Sequence, residues 1–270
     1  MVKLLILDLD GTLLTSDKRI ADCDKKAITR ALDSGVEITI FTGRNFHSAL
    51  PYIEELGVEV PVVFQNGALV YDFSKKESVL EIRLDGDMAR TVVDRAKKEN
   101  VYAVVYTDFF SRKDMLVESD YEGPFKAYFE SNSWRITRVD DLKKAVPETV
   151  VEVALIGHED SISSVVSDLD GVSVIKGSMI NGESFYEIFG PNCSKGEALE
   201  FVLEYFGISR EDVAFIGDGY NDVEIMKKVG LPIAMGNAPE DVKSLARFVT
   251  SGNDECGVAR AIEKFVLHPL

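Results

Sequence analysis

The 270-residue chain is poor in several residue types, and each shortage removes a class of protein. It has three cysteines, three histidines, eight prolines and a single tryptophan, Trp134. Cys23, Cys193 and Cys256 are odd in number and far apart, which implies neither a disulfide framework nor a zinc knuckle and favours a reducing compartment. His47, His158 and His268 are scattered and suggest no metal site. No run of 18 apolar residues occurs, so no transmembrane helix is expected. The apolar run after Lys3 reaches Asp8 within a few residues, too soon for a secretion signal, so a cytoplasmic location is expected. Basic residues are scarce: 30 Lys and Arg face 46 Asp and Glu, a net charge of −16. Such a balance excludes a nucleic-acid backbone or an anionic membrane as the main partner.

What remains is an ordinary globular composition, 46% hydrophobic and 28% charged, long enough for one or two domains. Nothing in it demands more than a monomer. The first 67 residues alternate strand and helix. Leu4–Leu7 reads as a strand buried on both faces, Ala21–Ser34 as a helix, Val36–Phe41 as a strand, Phe46–Leu56 as a helix and Pro61–Phe64 as a strand. The rhythm returns near the end: helix Lys195–Phe206, strand Val213–Ile216, a short helix Val223–Val229, strands Leu231–Met235 and Arg247–Thr250, and a closing helix Val258–Leu267. This β-α-β order predicts a parallel sheet covered by helices. The middle differs. Helices at Met88–Lys98, Pro124–Glu130 and Asp160–Leu169 mix with hairpin strands, an α+β pattern read as a second domain, 84–189, inserted into a core of 1–83 and 190–270.

Four short segments carry chemistry. Three of them end a core strand, the edge where open α/β sheets bind ligands. Asp8-Leu9-Asp10-Gly11-Thr12 holds two carboxylates two residues apart, which share a side if the strand persists. Asp8 suits a nucleophile and Asp10 an acid/base; a pair of turn-forming aspartates is the plainer alternative. Asp168-Leu169-Asp170-Gly171 repeats the pattern without the strand before it or the threonine after it, and reads as a helix end. Thr42-Gly43-Arg44 offers a hydroxyl and open backbone to a phosphate. Gly217-Asp218-Gly219-Tyr220-Asn221-Asp222 sets two carboxylates around a turn, hard oxygen ligands suited to Mg²⁺. A dinucleotide fingerprint fails there, because Asp222 stands where the third glycine is needed. Lys195, in the first turn of its helix, opposes the helix dipole and gains meaning only beside an anion.

Together these segments resemble the haloacid dehalogenase superfamily of phosphatases, and the inserted middle domain resembles the α+β (type IIB) cap of its Cof-like subgroup. Asp8-x-Asp10-Gly11-Thr12, Thr42, Lys195 and Gly217-Asp218-x-x-Asn221-Asp222 match its four motifs in order and spacing. The resemblance implies a Rossmann-like sheet in the order 3-2-1-4-5 and an aspartyl-phosphate formed on Asp8. It implies Asp10 as acid/base, Mg²⁺ held by Asp8, the Asp10 carbonyl and Asp218 with Asp222 in or next to the shell, and phosphate held by Thr42, Gly43, Lys195 and Asn221. The acid role needs a proton, so the pKa of Asp10 is expected to be raised by neighbouring carboxylates. A phosphate dianion beside a carboxylate is repelled by about 4 kcal/mol per charge pair at about 4 Å and a dielectric near 20, so metal dependence is expected.

The expected substrate is a small phosphorylated metabolite, most plausibly a sugar phosphate. Arg44, Asn66, Lys176 and Glu183 are candidates for contacts to it. A hairpin is read around Lys176-Gly177-Ser178, and the segment Asn181-Gly182-Glu183-Ser184 is read as leading back toward the core. Two other readings stay open: a sugar phosphomutase of the same fold, and a non-catalytic binding protein that keeps it.

Overall fold

A computed structural model describes residues 2–267. The chain divides after Leu80 and again after Cys193 into two units. The first holds a parallel sheet of β1 (Leu4–Leu7), β2 (Glu37–Ile40), β3 (Pro61–Phe64), β4 (Val213–Gly217), β5 (Leu231–Ala234) and β6 (Phe248–Val249). Their spatial order is β3-β2-β1-β4-β5-β6. The expected order is present, with β6 added at the far edge. β3 joins through a single parallel bridge, Phe41 to Val63, and the Thr42 N–H donates to the Val63 carbonyl at 2.9 Å.

Every residue of β1 and β4 is buried, which is why these runs carry no polar alternation. Leu4 and Ile6 point into a layer with Ala198, Leu199, Val202, Ile225 and Met226 from the helices Lys195–Phe206 and Val223–Lys228. Leu5 and Leu7 face the other way, as strand geometry requires. Helix Asp22–Asp33 packs against the closing helix Gly257–Ala261. That closing element is shorter than the sequence suggests: it widens into a π-turn at Ile262–Val266, where Phe265 stacks on Phe248 with ring centroids 4.1 Å apart.

The second unit is a six-stranded sheet. Its spatial order is Ser173–Ile180, Glu183–Phe189, Glu152–Gly157, Tyr102–Tyr106, Met115–Val117, Ile136–Arg138, antiparallel except for the last pair. Helices Gly86–Lys98 and Glu159–Val166 cover one face through Ala89, Val92, Ile162 and Val165 against Val105, Val153, Leu155 and Ile188. The opposite face contains a buried bidentate ion pair, Arg135 to Asp114 at 2.9 and 2.7 Å, beside hydrogen-bonded Tyr106 and Tyr128. The unit also takes in 81–83 and 190–193, beyond the expected limits of 84–189. The reason is local packing: a Cβ on Gly190 would sit 2.4 Å from the Arg83 carbonyl, and the Cys193 N–H donates to Ser173.

Three expectations are corrected. Lys176-Gly177-Ser178 is no hairpin turn but lies inside a strand, whose register shifts between Lys176 and Met179. The turn is Asn181-Gly182, both with positive φ (48° and 84°), the two-residue geometry that matches strand twist. The helix expected to end at Leu169 stops at Val166, and Asp168 and Gly171 form a positive-φ surface turn. Most consequentially, Cys23 and Cys256 form a disulfide, and Cys193, which is buried, lies outside it. They lie 233 residues apart in sequence, but the folded helices bring their Cα atoms to 6.0 Å. The disulfide removes the cysteine argument for a reducing compartment.

Next to this crosslink, Asp24 is fully buried and accepts the Ala259 N–H at 2.7 Å, while its second oxygen has no hydrogen-bond partner among the described residues. Burial pushes its carboxyl up to about 6, against the opposing Ala259 bond. The folded chain therefore holds this proton when the unfolded chain has released it, and stability should fall as pH rises from about 4 to about 6. Asp24→Asn should flatten that slope in thermal melts taken across the window; an unchanged slope would refute the assignment. The Cys23→Ser/Cys256→Ser variant should lose about 2–5 kcal/mol of stability, given the length of the closed loop. The urea midpoint measures it, and an unshifted midpoint would show that the crosslink contributes nothing.

Candidate active site

The loops that leave β1, β2 and β4, together with the N-terminus of helix Lys195–Phe206, meet at the carboxyl edge of the sheet. β1 ends at Leu7, but the Asp8 N–H still donates to the Ile216 carbonyl at 3.0 Å, which keeps Asp8 in line with the strand. The chain then turns at Gly11, with φ of +76°. A Cβ there would lie 2.2 Å from an Asp218 carboxylate oxygen, so the turn requires glycine twice over. Helix Lys195–Phe206 starts at a Ser194 cap, whose hydroxyl accepts the Glu197 N–H at 3.0 Å.

Lys195 is fully buried, with Nζ 2.5 Å from Asp8 Oδ1 and 2.7 Å from Asp222 Oδ1. Asp222 Oδ2 accepts the N–H groups of Asp218 and Gly219, each at 2.9 Å. Asp218 Oδ1 accepts the Thr12 hydroxyl at 2.9 Å. Carboxylate oxygens of Asp8, Asp218 and Asp222 lie within 4.8 Å of one another. Three carboxylates and one ammonium leave 3 − 1 = 2 negative charges uncompensated. That excess shifts the pKa values of the cluster. Burial, with Asp222 and Asp218 nearby, pushes Asp8 well up despite Lys195. Burial and Asp222 push Asp218 up to about 7. Burial would lower Lys195, but Asp222 and Asp8 outweigh it and hold the ammonium above its ordinary range.

This donor set fits a divalent cation. It offers hard carboxylate oxygens with no imidazole or thiolate, and its excess charge equals that of the ion. Asp8, Asp218 and Asp222 each offer a carboxylate oxygen to such an ion. Asp222, expected in or next to the shell, also accepts Lys195 through Oδ1 and the Asp218 and Gly219 N–H groups through Oδ2, so it orients its neighbours as well.

Asp10 corrects the sequence reading. Its carboxylate is not part of the acidic cluster. It is clamped by Arg44, with Nε and Nη2 at 2.5 and 2.7 Å, and by Lys18 Nζ at 2.7 Å. Burial would raise its pKa, but the two cations prevail and lower it to about 2, opposite to the expected direction. Arg44, expected to touch substrate, is committed to this pair and to the Ser48 carbonyl.

Thr42 is buried, and its hydroxyl accepts the Arg44 N–H at 3.1 Å. The Asn66 N–H donates to the Thr42 carbonyl and the Gln65 N–H to the Arg44 carbonyl, each at 3.0 Å, which zips 65–66 onto 42–44. Gly43 lies against Asn66, where a Cβ would come within 3.1 Å of Oδ1. Asn66 Oδ1 also accepts Asn221 Nδ2 at 2.8 Å, so the two predicted contact residues brace each other. Lys176 and Glu183 belong to the second unit. Lys176 pairs with Glu159 at 2.6 Å, and Glu183 accepts the Tyr121 hydroxyl.

Two contributors escaped the sequence reading. Lys18 is a half-exposed lysine in a loop and carried no signal. Asn237 donates to the Gly11 carbonyl at 2.8 Å and to Asp218 Oδ2 at 3.3 Å. It follows β5 at the same carboxyl edge, so the rule that found the other loops would have found it.

Comparison with known proteins agrees with this geometry. The family model for haloacid dehalogenase-like hydrolases matches residues 5–262. The chain is 30% identical, over 97% of both chains, to the 5-amino-6-(5-phospho-D-ribitylamino)uracil phosphatase YitU of Bacillus subtilis. A haloacid dehalogenase-like hydrolase from Bacteroides thetaiotaomicron superposes with a TM-score of 0.81 at 28% identity, covering 97% of this chain and 99% of that one. The subclass IIB sugar phosphatase BT4131 shares the fold, with a TM-score of 0.85 at 21% identity, covering 98% of this chain and 99% of that one. The match to nearly the whole chain, borne on a core that buries a lysine between two aspartates at the sheet edge, places this protein among the haloacid dehalogenase-like hydrolases, with the activity of a phosphatase.

Proposed function

We propose that the chain hydrolyses the phosphate monoester of a small sugar or sugar alcohol, with Asp8 as nucleophile and Mg²⁺ as the resident cation. The observation that carries this reading is Lys195, fully buried and shared between Asp8 and Asp222. A buried ammonium fixed against one carboxylate oxygen leaves the other oxygen to attack, and its charge draws in a phosphate. The phosphoribityl group in the name of the YitU relative supports the substrate class.

Asp8 attacks phosphorus, the bond to the leaving oxygen breaks, and an aspartyl-phosphate forms. Asp10 gives a proton to the leaving alkoxide. In the second half Asp10 takes a proton from water, the water oxygen attacks phosphorus, and inorganic phosphate leaves Asp8 free. Splitting the displacement replaces one hard step with two easier ones. Lys195, the Thr42 hydroxyl, the Gly43 N–H and Asn221 neutralise and hold the phosphate oxygens, since positioning and charge do most of the work in such transfers. Asp8, the Asp10 carbonyl and Asp218, with Asp222 in or next to the shell, would hold a divalent cation, which would supply the remaining positive charge. Asp10 must leave Arg44 and Lys18 and take up a proton before it serves as acid, because its resting pairing keeps it ionised. The choice of leaving group is assigned to the cap, with Lys176 and Glu183 as polar groups on its hairpin.

The test is phosphate release from a panel of sugar, sugar-alcohol and nucleotide monophosphates, with Mg²⁺ and with EDTA. Turnover should require the metal and should fall at least about a thousandfold in Asp8→Asn, as expected when a nucleophile is removed. Metal-independent turnover, or an active Asp8→Asn enzyme, would overturn the mechanism. Lys195→Met should also abolish turnover and cost about 3–5 kcal/mol of stability, because it strands two buried carboxylates. Partial recovery of its melting temperature on acidification, where those carboxyls protonate, would identify the cause.

A further inference from the structure

Asn237 is exposed at the end of β5, yet three hydrogen bonds hold its side chain. Nδ2 donates to the Gly11 carbonyl at 2.8 Å and to Asp218 Oδ2 at 3.3 Å, while Oδ1 accepts the Asn253 N–H at 3.1 Å. Thr12 takes the other Asp218 oxygen, so two donors from different loops fix the orientation of that carboxylate. Through Gly11 the same amide steadies the turn that carries Asp8 and Asp10.

Asn253 opens a three-residue 3₁₀ turn, Asn253–Glu255, that grips neighbouring segments. Asn253 Nδ2 donates to the Leu14 carbonyl at 2.8 Å. Asp254 accepts both the N–H and the hydroxyl of Ser16, at 2.8 and 2.6 Å. The turn is largely exposed, and isolated polar contacts of this kind contribute only about 1 kcal/mol each, too little to fix a short turn alone. The next residue is Cys256, in a left-handed conformation (φ 58°) and crosslinked to Cys23 on helix Asp22–Asp33.

We infer that Asn237 is a positioning residue for the cation-holding carboxylate Asp218, and that the Cys23–Cys256 crosslink, by anchoring turn 253–255, keeps Asn237 in place. The inference rests on the reading of Asp8 and Asp218 as residues that hold the cation. It assigns the disulfide a role at the active site in addition to its share of global stability. The path is continuous: crosslink, turn, Asn237 amide, Asp218 and Gly11.

Binding of Mn²⁺ to the whole protein without substrate, followed by the electron paramagnetic resonance of free Mn²⁺, tests this apart from turnover. The Mg²⁺ dependence of phosphate release is measured beside it. Asn237→Ala truncates an exposed side chain and leaves the core packed. It should weaken Mn²⁺ binding about tenfold, the usual cost of losing a group that orients a metal ligand, and raise the half-saturating Mg²⁺ similarly. Cys23→Ser/Cys256→Ser, assayed well below its melting temperature, should shift both in the same direction by about threefold, the loss of a single weak contact. Unchanged Mn²⁺ affinity in Asn237→Ala would overturn the proposal. Unchanged affinity in the cysteine variant alone would overturn the part assigned to the crosslink. Mn²⁺ binding that depends on Asn237 in a wild-type protein that releases no phosphate would sink the phosphatase reading and leave the positioning role standing.

Discussion

Burying a lysine is expensive unless its charge is matched, and here the match is Asp8 on one side and Asp222 on the other. The local architecture is fixed by that requirement. Asp8 must sit at the end of β1, Asp222 must be turned inward by the Asp218 and Gly219 N–H groups, and helix Lys195–Phe206 must begin at the sheet edge. The trio still carries net negative charge, and Asp218 adds to it. The site is therefore unbalanced on its own, and a divalent cation with a phosphate balances it. In the proposed reaction, binding and catalysis draw on the same electrostatic deficit.

Asp10 is treated differently from its neighbour two residues away. Asp8 lies in a crowd of carboxylates with one cation, and Asp10 lies between two cations. One backbone turn thus gives two carboxylates opposite electrostatic surroundings. This fits the division of labour proposed for them, with Asp8 fixed for attack and Asp10 held in reserve until its partners release it.

Much of this was legible in the sequence because it is local. Continuous apolar runs such as Leu4–Leu7 and Val213–Ile216 predict strands buried on both faces, and strand-end motifs predict where the loops meet. The meeting of Asp8, Lys195 and Asp218 at that edge was foreseen from the strand-end motifs together with the family resemblance. Details that hang on turn geometry were missed. Lys176-Gly177-Ser178 looks like a turn by composition, but edge pairing with Glu183–Phe189 absorbs it as an irregular strand. The closing helix widens where Phe265 meets Phe248, a contact between distant residues.

By itself, then, the sequence determined the sheet, its helical cover, the change to an α+β pattern in the middle of the chain and the loops that meet at the sheet edge, because periodicity and strand-end chemistry act over a few residues. Only the tertiary structure decided which charges pair. Arg44 reaches back to Asp10 across 34 positions, Thr12 meets Asp218 across 206, and Cys23 meets Cys256 across 233. Spacing along a chain says nothing about such pairs. They form where folded backbone brings side chains within bonding distance, and that distance sets the sign of the Asp10 shift and the existence of the crosslink.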